Sequence, residues 1–291
     1  MVVHLLRNPR SGRRASQTPA AEELIASAVA GNEVVELTGA SPISSSQALR
    51  DAVAEGEVER LVVVGGDGLI HLAIQEVATR EVPVTIVADG TGNDFALALS
   101  QARKPEHLEE PQAVDLLRVT TADNSEPRWV ATIVIAGFPA AINARANDIS
   151  LPIGASVYTL AALAELPRFA RTQISYSIDH GESTVEDTSD SAMLAIGNTS
   201  FFGGGMRACP NAEVNDGLLH FTSIEGVGRI GVLRHIQGQR GGTANRDEVT
   251  RHVGNRVEIR SKGIEFWGDG ERLGQSPVTI EIVPGALTLA P

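Results

Sequence analysis

A chain of 291 residues with 42% hydrophobic content has room for two domains with cores of their own. Its formal charge of −12, from 24 basic and 36 acidic residues, disfavours bulk attraction to nucleic acid or to an anionic membrane, so any phosphate or membrane contact must be local. A single cysteine, Cys209, excludes an internal disulfide and a cysteine-built zinc site, fits a reducing cytoplasm, and reads as a small packed hydrophobe.

Val2 to Leu6 is a predicted strand at a start with no signal-peptide layout. It runs into Asn8-Pro9-Arg10-Ser11-Gly12, followed by Arg13 and Arg14, a loop that can neutralise a polyphosphate or simply be solvated. A helix is expected over Thr18 to Ala30, a strand over Val34 to Leu37 ending at Thr38-Gly39, and a helix over Ser46 to Glu55. Leu61 to Val64 is four β-formers in a row, the habit of a strand buried on both faces, and it meets the turn Gly65-Gly66-Asp67-Gly68. A helix over Leu69 to Thr79 would point its positive end at that turn. Asp67 would repel a bare phosphate, so it makes sense as a partner of Mg²⁺ or as a polariser of a reacting hydroxyl.

The next strand, Val84 to Ala88, ends at Asp89-Gly90-Thr91-Gly92-Asn93-Asp94-Phe95. Strands alternating with helices predict a doubly wound α/β domain, and three polar loops at one sheet edge point to a nucleotide or phosphate site. From about Asp123 the texture changes to short β-rich segments: Trp129 to Ala136, Thr172 to Asp179, Ser191 to Ile196, Leu218 to Ile224, Arg256 to Ile259 and Val278 to Val283. One helix-like interlude, Ile153 to Leu166, interrupts them. This predicts an antiparallel sandwich or barrel-like second domain over residues 123–284, after an α/β domain over residues 1–122. The longest apolar run, Trp129 to Ile142, falls short of the roughly 20 residues a membrane helix needs and contains Pro139.

Two acidic turns lie in the second half. Asp216, in Pro210 through Leu218, can bind a hard cation with backbone carbonyls or serve only a hairpin turn. In Trp267-Gly268-Asp269-Gly270-Glu271, both Asp269 and Glu271 are eligible as general bases toward an alcohol. Phe201 and Phe202 read as core packing or an acyl-tunnel lining. Arg207 reads as a phosphate or solvent contact, and His71 as a phosphate donor or a satisfied polar residue on a helix.

In order along nearly the whole chain, these stretches resemble the diacylglycerol kinase catalytic family, related to sphingosine kinases and more distantly to NAD kinases. The resemblance rests on Asn8 to Gly12, Gly65 to Gly68, Gly90 to Ala96, Asp115 to Val119, Asn198 with Gly203 to Met206, Pro210 through Leu219, and Asp269 to Glu271. It implies a phosphofructokinase-like and NAD kinase-like α/β domain followed by a β-sandwich, with residues 285–291 returning to the first domain. It further implies ATP on Asn8, Pro9, Arg10, Ser11, Gly12, Thr38, Gly65, Gly66, Asp67, Gly68, Leu69, His71, Gly90, Thr91, Gly92, Asn93 and Asp94. By the same resemblance Asp216, with the main-chain oxygens of Glu213 and Leu218, holds a structural Mg²⁺. Asp67 and Asp115 belong to the charged network around metal and phosphates, and Glu271 accepts the proton.

The expected reaction is transfer of the γ-phosphoryl group of ATP to a lipid hydroxyl, diacylglycerol being the default acceptor and phosphatidic acid the product. A cytoplasmic chain is implied, compatible with a homodimer and with peripheral contact at the inner membrane face. The chain departs from the family at Leu69, His71 and Leu72, where a Thr and an Asn-Glu pair are usual, and at Ala88-Asp89. These departures motivate two alternatives: a catalytically impaired nucleotide- or lipid-binding regulator, and a kinase of a sphingoid or soluble acceptor.

Overall fold

The apolar run read as a doubly covered strand is the middle of a parallel sheet. The structure, a computed structural model, describes residues 1–7, 19–37, 39, 41–90, 92–102, 110–149, 156–203, 205–238 and 247–290. Its first half is β1 (Val2–Arg7), α1 (Pro19–Val29), β2 (Glu33–Glu36), α2 (Pro42–Ala54), β3 (Arg60–Gly65), α3 (Asp67–Val77), β4 (Pro83–Ala88) and α4 (Asp94–Ala102). The strands run parallel in the order β4-β3-β1-β2. Leu61 and Val63 pack into a core with residues of α2, α3 and α4, whereas Val62 and Val64 pack with Val3, Leu5 and α1. Successive side chains of β3 thus enter two cores, which is why the run shows no polar alternation.

Two helices start earlier than expected. α2 begins at Pro42 rather than Ser46, because Ser41 and Ser44 form a reciprocal capping box: the Ser44 amide donates to Ser41 Oγ at 3.2 Å and the Ser41 amide to Ser44 Oγ at 3.0 Å. α3 begins at Asp67 itself, so the carboxylate sits in the first helical turn.

The second half contains β5 (Gln112–Thr121), β6 (Asn124–Val130), β7 (Ile133–Gly137), α5 (Phe138–Asp148), α6 (Ser156–Glu165), β8 (Thr172–His180), β9 (Ser183–Gly197), β10 (Phe201–Phe202) and β11 (Met206–Arg207). It continues with β12 (Leu219–Glu225), α7 (Arg229–Gly238), β13 (Val249–Gly254), β14 (Arg256–Ile259), β15 (Glu265–Gly268), β16 (Glu271–Gln275) and β17 (Val278–Leu289). Inward side chains such as Leu117, Tyr176, Leu194, Phe221, Val257, Phe266 and Ile280 fill a sandwich core. The opposite face of β7 and β9 (Ile133, Ile135, Met193, Ala195) is covered by Phe138 and Ile142 of α5, Ala161 of α6 and Val232 of α7.

The two halves share backbone hydrogen bonds. β17 pairs with β5 and β14, breaks register between Val283 and Leu287, and then places Thr288 and Leu289 parallel to Pro83 and Val84 of β4. β5 and β6 form a hairpin across residues 122–123, where the composition shifts. The stretch Trp129 to Ala136, read as one strand, is two, because the amides of Ala131 and Thr132 turn aside to bind Asp269. α5 and α7 were not signalled in the sequence. α5 follows Gly137, whose φ of +79° suits glycine and redirects the chain.

Candidate active site

The glycine loops after β3 and β4 interlock. The Asp89 amide donates to the Gly65 carbonyl at 2.9 Å, and the backbones of Gly66 and Gly90 pass so closely that a methyl group on Gly90 would stand 2.7 Å from the Gly66 Cα. Asn93, at φ +54°, ties its loop together: Oδ1 accepts from the Gly90 amide and Nδ2 donates to the Gly90 carbonyl, both at 2.9 Å. The Asn93 amide then donates to Asp67 Oδ2 at 2.8 Å, fixing the carboxylate. Thr91 and Thr38, together with Asn8, Pro9, Arg10, Ser11 and Gly12, lie outside the described residues.

Asp67 has its other oxygen, Oδ1, buried with no hydrogen-bond partner. Burial, then the neighbouring charges of Asp94 and Asp269, push its carboxyl above the ordinary value, against the pull of the Asn93 amide. Asp94, at the start of α4, accepts from the Gly205 amide at 2.8 Å and so links this corner to the second half.

Two of the nucleotide candidates, Leu69 and His71, place their side chains in the interior. Leu69 is buried in the core beneath the loop, its side chain packed against Gly65. His71 is 1% exposed and places Nδ1 3.2 Å from Asp269 Oδ2, with the Arg128 guanidinium 3.3 Å from Nε2. Asp269 is saturated: it accepts from the Ala131 amide (2.8 Å), the Thr132 amide (3.0 Å) and the Thr132 hydroxyl (2.5 Å), besides His71. Burial alone would raise its carboxyl, but the His71 interaction, the Thr132 hydroxyl and the Ala131 amide together hold it below the ordinary range. Glu271 is exposed at the start of β16, opposite Gly268 in the hairpin.

Behind these carboxylates opens a cavity of about 760 Å³. Asp67, His71, Asp94, Thr132 and Asp269 are among its lining, and its apolar wall comes from both halves, with Ile74 and Phe95 meeting Ile135, Ile142 and Phe202. One aromatic hydroxyl, Tyr158 on α6, belongs to that wall. Burial and the charges of Asp94 and Asp67 raise its value, so it stays a hydrogen-bond donor. Phe202 lines the cavity, while Phe201 is buried in the first core under the Arg207 guanidinium, 5.3 Å from its ring centroid. Tyr158 and the walls from α5 and α6 were missed; the helix-like interlude Ile153 to Leu166 was the trace of α6 in the sequence.

The second acidic turn is a separate place. Asp216 Oδ1 accepts from the Leu218 amide at 2.9 Å and its Oδ2 stands 3.5 Å from His220 Nε2, while Glu213 is exposed. Asp115, 3% exposed, spends one oxygen on the Gly217 amide (2.7 Å) and the other on the Gly285 amide (2.8 Å), bracing this turn against the break in β17. Asn198 donates to the carbonyls of Asp115 and Ala131, at 2.7 and 3.0 Å. Among the described residues no group of three or more His, Cys, Asp or Glu side chains is arranged to hold a metal. Cys209 is buried, its thiol pushed up to about 12 by burial, as suits a packed hydrophobe.

Comparison with known proteins agrees with this arrangement. Residues 2–124 match the diacylglycerol kinase catalytic domain, and residues 132–291 match the YegS C-terminal NAD kinase beta sandwich-like domain. The chain is similar to a diacylglycerol kinase of Mycobacterium tuberculosis (strain ATCC 25618 / H37Rv), 32% identical over 98% of this chain and 93% of the relative. It is also similar to a protein of Stenotrophomonas maltophilia (strain K279a) named "Probable lipid kinase YegS-like", 29% identical over 82% of this chain and 80% of the relative. The fold matches the crystal structure of a diacylglycerol kinase from Bacillus anthracis str. Sterne with a TM-score of 0.66, at 18% identity, over 99% of this chain and 95% of that one. Glycine loops, sandwich and two consecutive domain matches together place the chain in the diacylglycerol kinase family of lipid kinases.

Proposed function

We propose that the protein transfers the γ-phosphoryl group of ATP to the hydroxyl of a lipid of the diacylglycerol type, giving a phosphatidic acid. The observation that carries this reading is the cavity: an apolar chamber of about 760 Å³ next to a buried, unpartnered carboxylate oxygen on Asp67, where the glycine loops meet. A soluble polar acceptor has no use for that wall, and ligand chambers of this size fall within the usual range.

In this reading the loops Gly65–Asp67–Gly68 and Gly90–Asp94, with Asn8 to Gly12, Thr38 and Thr91, hold the phosphates on main-chain amides and the positive ends of α3 and α4. Asp67 takes the proton of the acceptor hydroxyl, since it lines the chamber with one oxygen free of partners and its raised carboxyl makes it a better base than a free aspartate. Glu271, the acceptor implied by resemblance, stands one residue beyond Gly270 of the lining and is the competing assignment. The donor set of the Asp216 turn, a carboxylate with the carbonyls of Glu213 and Leu218, is all oxygen and fits Mg²⁺ in kind, with Asp115 as its brace. Mg²⁺ bound there would hold the turn in shape, and a Mg²⁺ arriving with ATP would supply charge neutralisation at the phosphates.

The acceptor reaches the chamber from a membrane surface. No helix among the described residues is long and apolar enough to cross a membrane. Beside the chamber, however, Leu160 and Leu163 of α6 and Ile230 of α7 are 43%, 61% and 67% exposed. Arg168, Arg229 and Arg234 are also exposed on a chain of net charge −12; Arg168 pairs with Glu165 at 3.8 Å, and Arg229 bonds the Pro167 carbonyl at 2.8 Å, linking the start of α7 to the segment after α6. A basic, apolar rim fits an anionic bilayer.

The test is transfer of labelled γ-phosphate from ATP to a lipid extract by wild type, Asp67→Asn and Glu271→Gln. A labelled phosphatidic acid lost in Asp67→Asn and kept in Glu271→Gln supports both reaction and base; the reverse pattern moves the base to Glu271. No lipid product, with ATP bound, overturns the reading in favour of a binder or a kinase of a soluble acceptor.

A further inference from the structure

His71 and Asp269 lie 198 residues apart and meet in the interior, their side chains 1% and 5% exposed. His71 stands one helical turn beyond Asp67 on α3, and Asp269 precedes Gly270 in the turn joining β15 to β16. Asp67, His71, Asp269 and Gly270 all line the chamber.

The hydrogen bonds fix where the imidazole proton sits. Arg128 reaches His71 Nε2 at 3.3 Å, and a guanidinium has donors only, so Nε2 must offer its lone pair. The proton is therefore on Nδ1, aimed at Asp269 Oδ2 at 3.2 Å. A directed chain results, Arg128 to His71 to Asp269, whose last member also gathers the amides of Ala131 and Thr132. One turn further along α3, Gln75 fastens the same helix to β6 by donating to the Trp129 carbonyl (2.8 Å) and accepting from the Trp129 amide (2.9 Å).

We propose that His71 is a positioning residue rather than a nucleotide contact: locked in the Nδ1–H tautomer by Arg128, it clamps the Asp269 turn onto the helix that carries Asp67. The clamp sets the spacing between the glycine loop of one domain and the rim of the other, the two sides between which a phosphoryl group must pass. Only the kinetic readout rests on the phosphotransfer reading; the tautomer does not.

The test combines long-range ¹⁵N–¹³C imidazole NMR of the full-length protein with kinetics of three variants. The wild-type spectrum should show the Nδ1–H pattern for His71, and this pattern should be lost in Arg128→Leu. Asn places a donor where Nδ1 was, whereas Gln reaches toward Nε2. His71→Asn should therefore keep kcat within about threefold, and His71→Gln and His71→Ala should lose roughly 10–100-fold, with the KM for ATP moving less than about threefold. An Nε2–H pattern overturns the proposal, as does a raised KM for ATP at unchanged kcat in His71→Ala, which marks a nucleotide contact. A wild type without transfer activity sinks the kinase reading alone, and the tautomer then decides the clamp.

Discussion

Gly66 and Gly90, from loops that follow neighbouring parallel strands, touch backbone to backbone, and neither has space for a side chain against the other. A methyl group on Gly90 would also stand 2.8 Å from Asn93 Oδ1, the atom that holds the loop shut. Gly90→Ala is expected to cost about 1–3 kcal/mol of stability through this overpacking and to weaken ATP binding at least tenfold, measured by urea unfolding and nucleotide titration. Gly68 is the contrast: it lies in α3, and a methyl group there would meet nothing within 4 Å, so Gly68→Ala should raise stability by roughly 0.5–1 kcal/mol.

Asp67→Asn separates stability from activity. A carboxyl whose folded value lies above its free value of 3.8 binds more protons in the native state, so stability falls as pH rises through that interval. Burial and the neighbouring carboxylates of Asp94 and Asp269 disfavour its ionised form. The neutral isostere should raise the melting temperature by roughly 1–3 °C and lower transfer at least 100-fold, with calorimetry and the lipid kinase assay as measurements.

Asp269 has the opposite sign. Its folded value lies below 3.8, so the stability it contributes is present above that pH and is lost as pH falls through the lower folded value. Asp269→Asn cannot accept at both positions and should cost about 2–4 kcal/mol at pH 7. The difference from wild type should shrink in acid, which urea midpoints at a series of pH values will show.

Ala162 of α6 lines the chamber, and enlarging it fills the apolar space without touching the carboxylates. Ala162→Phe should leave ATP binding within about twofold and cut phosphorylation of long-chain lipid at least tenfold, with a shorter-chain acceptor less affected. Equal loss for all chain lengths would count against an acyl chamber.

Leu160 and Ile230 are exposed and do not line the chamber. Leu160→Glu with Ile230→Glu should reduce co-sedimentation with anionic vesicles about tenfold while turnover of a dispersed short-chain acceptor stays near wild type.

Much of the first domain was legible because its signals are local. The alternation of apolar strands with amphipathic helices depends on neighbours a few residues away, and each glycine loop directly follows the strand that aims it. Asp269 was legible as an acidic turn residue but not as a saturated one, since its amide partners at Ala131 and Thr132 lie about 137 residues upstream. The resemblance places Leu69 and His71 at the nucleotide, and what it could not show is that helical rotation packs the Leu69 side chain in the core and brings His71 to Asp269.

What the amino-acid order determined by itself is the covalent pattern of the chemistry: glycines where backbones must touch, carboxylates in turns, β-formers where a strand is covered twice. What only the tertiary structure decided is which carboxylate remains unsatisfied beside an apolar chamber. That depends on how many amides and hydroxyls from distant segments arrive at each oxygen, and on three helices closing over one sheet face, contacts whose partners are set by packing rather than by spacing along the chain.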